Sequence, residues 1–184
     1  HVPAGGPLSP HAADNPRFFA WHRVQVRYCD GFSFAGHRDS PVTVTLPGGK
    51  KQTLHVRGRA ILLATLKQLL ALGLDRAESV MLTGDSAGGL AVFHAADFVG
   101  VFLRAHSPRL RTYKAVPVSG FFVDHADVNG VPQYANALRT AFAWHSASDG
   151  VSSACLAHAP PGDEFRCFFA EKALPYVRTP TFIL

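Results

Sequence analysis

At 184 residues, 47% of them hydrophobic, the chain amounts to about one domain and can furnish a sizeable core. Its formal charge of +5 comes from 18 Lys and Arg that are scattered rather than gathered into a run, which excludes nucleic acid as the expected partner and leaves an anionic polysaccharide compatible. Ala60 to Leu74, read as the longest apolar segment, is interrupted by Lys67 and Gln68 and falls short of the ~18 uncharged residues of a spanning helix, so no membrane span is expected.

Along the chain, His1 to Pro16 reads as a proline-rich surface loop. Arg23 to Tyr28 alternates polar and apolar residues and predicts a half-buried strand that Cys29-Asp30-Gly31 ends. Val42 to Leu46 and Gln52 to Val56, joined by Pro47-Gly48-Gly49-Lys50, predict a small hairpin. Leu62, Leu66, Leu69 and Leu70 form the apolar stripe of an amphipathic helix over Gly58 to Leu72, with Gly73 at its C-terminal cap. Ser79 to Thr83 is a compact strand, Ala87 to Arg104 a proline-free and mostly buried helix, and Tyr113 to Val118 a strand whose Pro117 argues for an edge or a strand end. Asn129 to Thr179 is a cap-like excursion with a short helix near Tyr134 to Phe142, and Thr181 to Leu184 begins another strand. Strands alternating with helices predict an α/β fold with a mostly parallel sheet.

The chemistry-bearing stretch is Thr83-Gly84-Asp85-Ser86-Ala87-Gly88-Gly89-Leu90. A serine between small residues, after a strand and before a long helix, fits the G-x-S-x-G nucleophile elbow, where Gly84 and Gly88 permit a turn tight enough to expose the hydroxyl. The following helix aims its first N–H groups at that point, and the Ala87 N–H would donate to an acyl-transfer oxyanion.

Cys29, Cys155 and Cys167 are an odd set. A Cys155 to Cys167 disulfide would close the Pro- and Gly-rich loop between them, contribute ~3 kcal/mol and imply an oxidising compartment, the alternative being two reduced buried thiols. Cys29 would then be free or paired outside the chain. The ten histidines lie on unlike elements with no His-x-x-x-His or Cys-x-x-Cys spacing, so no metal site is expected. His94 reads as a packing residue on the elbow helix, and Asp124 and Asp127 as turn caps rather than as a catalytic acid.

Trp21 to Gly31, Arg57-Gly58-Arg59, Gly84 to Leu90, Gly120 to Asp124, Cys167-Phe168-Phe169 and Thr179 to Leu184 occur in an order that resembles the pectin acetylesterases and their animal relatives, the Notum carboxylesterases. The resemblance covers about His1 to Leu184. It implies an α/β-hydrolase fold, a secreted or cell-wall protein without a cofactor, and hydrolysis of acetyl esters on a polysaccharide such as pectin by a Ser-Asp-His triad with Ser86 as nucleophile. Phe121, Phe122, Phe168 and Phe169 read by themselves as core packing, since aromatic side chains usually bury, while the resemblance implies that Phe122, Phe168 and Phe169 border the acyl pocket. Plant members carry cysteine where this chain has Asp85 and Ala96.

In that fold the triad acid and base follow the strand similar to Thr181 to Leu184, so both are expected beyond Leu184, and the other oxyanion donor before His1. The chain, which starts at His1 without a signal peptide, is accordingly expected to be one partial hydrolase domain, inactive and poorly soluble alone. Two other readings are a Notum-like esterase that removes a fatty acyl chain from a protein, and a non-catalytic or carbohydrate-binding fragment. The oligomeric state has no sequence signature here.

Overall fold

The computed structural model describes residues 8–184, so the opening loop lies partly outside the described residues. The hairpin consists of β1 (Val42–Thr45) and β2 (Lys51–Leu54), antiparallel, with Val42 opposite Leu54 and Thr45 opposite Lys51. Its turn needs positive φ at two successive residues, and Gly48 (φ 87°) and Gly49 (φ 80°) supply it without a Cβ clash.

Helix α1 (Gly58–Ala71) buries Leu62 and Leu66 and stops just before Gly73, whose backbone is left-handed. Then come β3 (Ser79–Asp85), the 20-residue α2 (Ala87–His106) and β4 (Thr112–Val118). β3 and β4 pair in parallel from Ser79 opposite Thr112 to Asp85 opposite Val118, the arrangement a helical crossover requires. Tyr113 ties β4 to α2, its buried hydroxyl donating to the Ala96 carbonyl at 2.9 Å.

Pro117 lies next to the end of β4, but β4 is not an edge. Thr181 bridges Ala115 in parallel, with Ala115 N–H donating to Pro180 C=O, Phe182 N–H to Ala115 C=O, and Leu184 N–H to Pro117 C=O. The proline removes one donor from this ladder while its carbonyl still accepts, so the extended segment from Thr181 passes it at the cost of a single bond.

Arg23 to Tyr28 is not a strand. Val24, Val26 and Tyr28 are exposed, and among the described residues no segment pairs with this stretch. Alternation prepares one face for burial, but a strand exists only where a neighbour takes up its N–H and C=O groups.

The excursion holds more helix than its irregular sequence predicts: α3 (Gln133–His145), α4 (Ser153–His158) and α5 (Ala170–Ala173), with 3₁₀ turns between them. It packs as core rather than standing off as a lid. Leu138, Phe142, Phe165, Phe168 and Phe169 join Leu90 and Phe93 of the N-terminal half of α2 in one buried cluster. The C-terminal half of α2 serves a second cluster, with Val99, Phe102 and Leu103 against Leu62 and Leu66 of α1 and Tyr113 of β4. α2 is thus buried on several sides, which explains why it is the one described helix long and apolar enough to cross a membrane, with two thirds (67%) of that apolar window inside the fold.

Candidate active site

β3 ends at Asp85 and α2 begins at Ala87, so Ser86 alone makes the turn between them. It does so at φ 55° and ψ −118°, a conformation that costs a non-glycine residue about 1–3 kcal/mol and persists only where neighbours over-determine it. They do: Ser86 N–H donates to Val118 C=O at 2.9 Å, and Leu90 N–H donates to Ser86 C=O at 3.0 Å. A Cβ on Gly84 would overlap the Gly88 carbonyl, whereas one on Gly88 would meet open space. Gly84 therefore lacks a side chain so that the Gly88 backbone can approach. Ser86 is exposed, and among the described residues no hydrogen bond involves its hydroxyl.

Ser86 stands at the N-terminus of α2, as its N-cap residue. The first N–H groups of a helix have no carbonyl partner within it and carry the positive end of its dipole, so the Ala87 N–H is free to meet negative charge developing beside Ser86.

No described histidine bonds to Ser86. His94 is buried with its ring 4.5 Å from that of Phe168, and both ring nitrogens lack a hydrogen bond. Burial pushes its pKa down to about 4, partly opposed by the Phe168 backbone, so it is neutral near pH 7. His106 lies against Phe102, His145 stacks on Phe32, and His125 and His158 meet nearby backbone carbonyls. Asp124 pairs with Arg166, and Asp127 caps a turn by accepting from Asn129 and Val131 N–H. Among the described residues no three His, Cys, Asp or Glu side chains converge as a metal site would require.

The aromatic residues divide. Phe122 is half-buried and tilted against Tyr134, while Phe168 and Phe169 are buried, the first stacked on Phe32 at 4.2 Å and the second edge-on to Tyr134 at 5.6 Å. Cys155 and Cys167 form a disulfide that clamps α4 to the turn before Phe168, and Cys29 is free and exposed. A cleft of about 880 Å³ runs along the outer face of α2, past Arg59, His94, Asp97 and Arg178, and does not include Ser86.

Three features around the elbow escaped sequence reasoning. Gly89 and Gly120 touch backbone to backbone, so neither has room for a Cβ. The Val118 carbonyl holds the Ser86 amide. Ser33, more than fifty residues upstream, donates from Oγ to the Ala87 carbonyl at 2.9 Å. Gly120 follows an apolar strand and was open to a close-approach reading, whereas nothing local marks Ser33.

A parallel strand pair, a strained serine turn and a long buried helix define an α/β-hydrolase-like protein, and a solved structure of the Wnt deacylase Notum from Drosophila shares the fold. It matches with a TM-score of 0.81 at 27% identity, over 98% of this chain and 50% of that one. The family model for pectinacetylesterase matches residues 1–184, and the chain belongs to that family. It is 34% identical to pectin acetylesterase 4 of Arabidopsis thaliana over 100% of this chain and 42% of that protein. It is 29% identical to the palmitoleoyl-protein carboxylesterase NOTUM of Drosophila melanogaster over 97% of this chain and 26% of that protein. The chain thus spans less than half the length of these curated relatives.

Proposed function

We propose that the complete protein is a serine carboxylesterase that removes acetyl groups from a cell-wall polysaccharide such as pectin. The observation that carries this is Ser86, strained and exposed at the head of α2, in a chain of the pectinacetylesterase family. Ser86 Oγ attacks the acetyl carbonyl, its proton passing to a histidine base. The Ala87 N–H stabilises the oxyanion, collapse expels the sugar hydroxyl, and water then releases acetate from the acyl-enzyme. The order of triad members in this fold, serine first and then acid and histidine, supports a histidine and acid that follow the segment Thr181 to Leu184 in the complete protein. No cofactor is needed for this chemistry. The substrate fits a chain of net charge +5, and the Cys155–Cys167 disulfide supports an oxidising, extracellular setting.

Removal of a longer acyl chain from a protein is the second reading, favoured by the match to Notum. The burial of Phe168 and Phe169 in packing supports the shorter acetyl group. In the complete protein, Ser86→Ala is expected to lower hydrolysis of p-nitrophenyl acetate by about 10⁴-fold or more, because triad members act as a unit. Turnover near that of the wild type would overturn the assignment, and faster turnover of octanoyl than of acetyl ester would favour the second reading. Residues 1–184 alone are expected to show negligible turnover.

A further inference from the structure

We propose that Ser33 is a positioning residue for Ser86 and Ala87, an inference that rests on the esterase reading above. Ser33 belongs to the turn Asp30–Phe34, which bends back on itself with two successive non-glycine residues in the left-handed region, Ser33 (φ 49°) and Phe34 (φ 59°). Two such residues in a row are costly and need external support. Asp30 provides it, its Oδ2 accepting from Phe32 N–H at 3.2 Å and from Phe34 N–H at 2.8 Å, while Ser33 N–H donates to the Tyr28 hydroxyl at 3.1 Å. The turn is also anchored by the stacking of Phe32 between His145 and Phe168. The strain is therefore held in place by contacts from three directions.

What the bend achieves is the aim of one hydroxyl. Ser33 is buried, and its Oγ reaches across to the Ala87 carbonyl at 2.9 Å. On the other side of Ala87, the peptide that carries the Ala87 N–H is held by the bond from Leu90 N–H to Ser86 C=O. The Ala87 carbonyl stands at the start of the ladder of α2 and takes a further bond from Ser33, so the peptide after Ala87 is tied from outside the helix as well as from within. An oxyanion donor works only if it is aimed before charge develops, and the first turn of a helix, whose N–H groups have no intrahelical partner, is freer to rock than its middle. Ser33 removes that freedom without touching substrate.

The test separates position from stability. Ser33→Gly deletes the hydroxyl while relieving the left-handed strain, so the variant is expected to keep its thermal midpoint. Its kcat on p-nitrophenyl acetate in the complete protein is expected to fall about 10-fold with KM within twofold of wild type, the signature of misaimed groups rather than lost binding. Hydrogen exchange at the Leu90 amide is expected to accelerate while that at Leu103, at the far end of α2, stays as in wild type. Ser33→Ala, which keeps the strain, is the second variant if the glycine loosens the turn.

Unchanged kcat with unchanged Leu90 exchange, or a rise in KM alone, would overturn the proposal. Exchange that accelerates along the whole of α2 would also overturn it, by showing a merely structural role. A wild-type protein with no esterase activity would defeat the esterase reading instead, and the exchange measurement would then decide for or against Ser33 by itself.

Discussion

The elbow unit, β3 through β4, and the excursion from α3 to α5 share one helix but are held together by different contacts. Around the elbow, backbone meets backbone: Gly84 against Gly88, Gly89 against Gly120, Ser86 N–H on Val118 C=O. In the excursion, side chains and a covalent link do the holding: Phe168 between Phe32 and Phe142, Arg166 on Asp124, Cys155 bonded to Cys167. Backbone contact fixes geometry to a few tenths of an ångström and tolerates no added atom. Side-chain packing gives stability but can readjust. The comparison teaches that the part of the molecule bearing Ser86 is built for placement, and the excursion for support.

The sharpest way to break this comparison is Gly120→Ala. Its new methyl would meet the backbone of Gly89 and Leu90, which cannot rotate away, so the segment after β4 must separate from α2. A loss of about 3 kcal/mol in urea unfolding is expected from such overpacking, with α2 shifted at its first turn. A variant as stable as wild type would show that the elbow yields more easily than its contacts imply.

The disulfide tests the other side. Replacing Cys155 and Cys167 together by serine is expected to cost ~3 kcal/mol for a loop of this length. Proteolysis should then cut first between Leu156 and Arg166, with the Leu90 amide still protected from exchange. Cleavage that began instead in β3 or α2 would show that the elbow depends on the excursion for its integrity.

His94 sits at the seam, on α2 but against Phe168 of the excursion. Its pKa is about 4 in the fold against 6.5 for the free side chain, so below about pH 6.5 the unfolded chain binds a proton that the native one does not. The stability His94 contributes is therefore complete above pH 6.5 and is lost as pH falls toward 4, by up to about 3 kcal/mol. Urea titrations at pH 7.5 and 4.5 measure it. His94→Leu should flatten that part of the pH dependence, and a slope unchanged by the substitution would place the titrating group elsewhere.

Much of the elbow half was legible in the sequence because its signals are local. Gly84-Asp85-Ser86-Ala87-Gly88 needs only its own glycines and flanking elements to announce a turn, and the Leu62, Leu66, Leu70 spacing needs only a helical period. The excursion was less legible because α3 through α5 are short and bounded by 3₁₀ turns, so no period runs long enough to read.

The sequence by itself determined the run from α1 through β3 and α2 to β4, the hairpin turn, the serine at the head of α2 and the family. Each depends on residues near one another in the chain, where propensity and spacing act directly. Only the tertiary structure decided that Arg23 to Tyr28 has no ladder, that Pro117 is flanked on both sides, and that Ser33 grips Ala87. Those outcomes depend on which distant groups arrive to pair, cover or accept, and a hydrogen bond between residues more than fifty positions apart leaves no mark on the composition around either one.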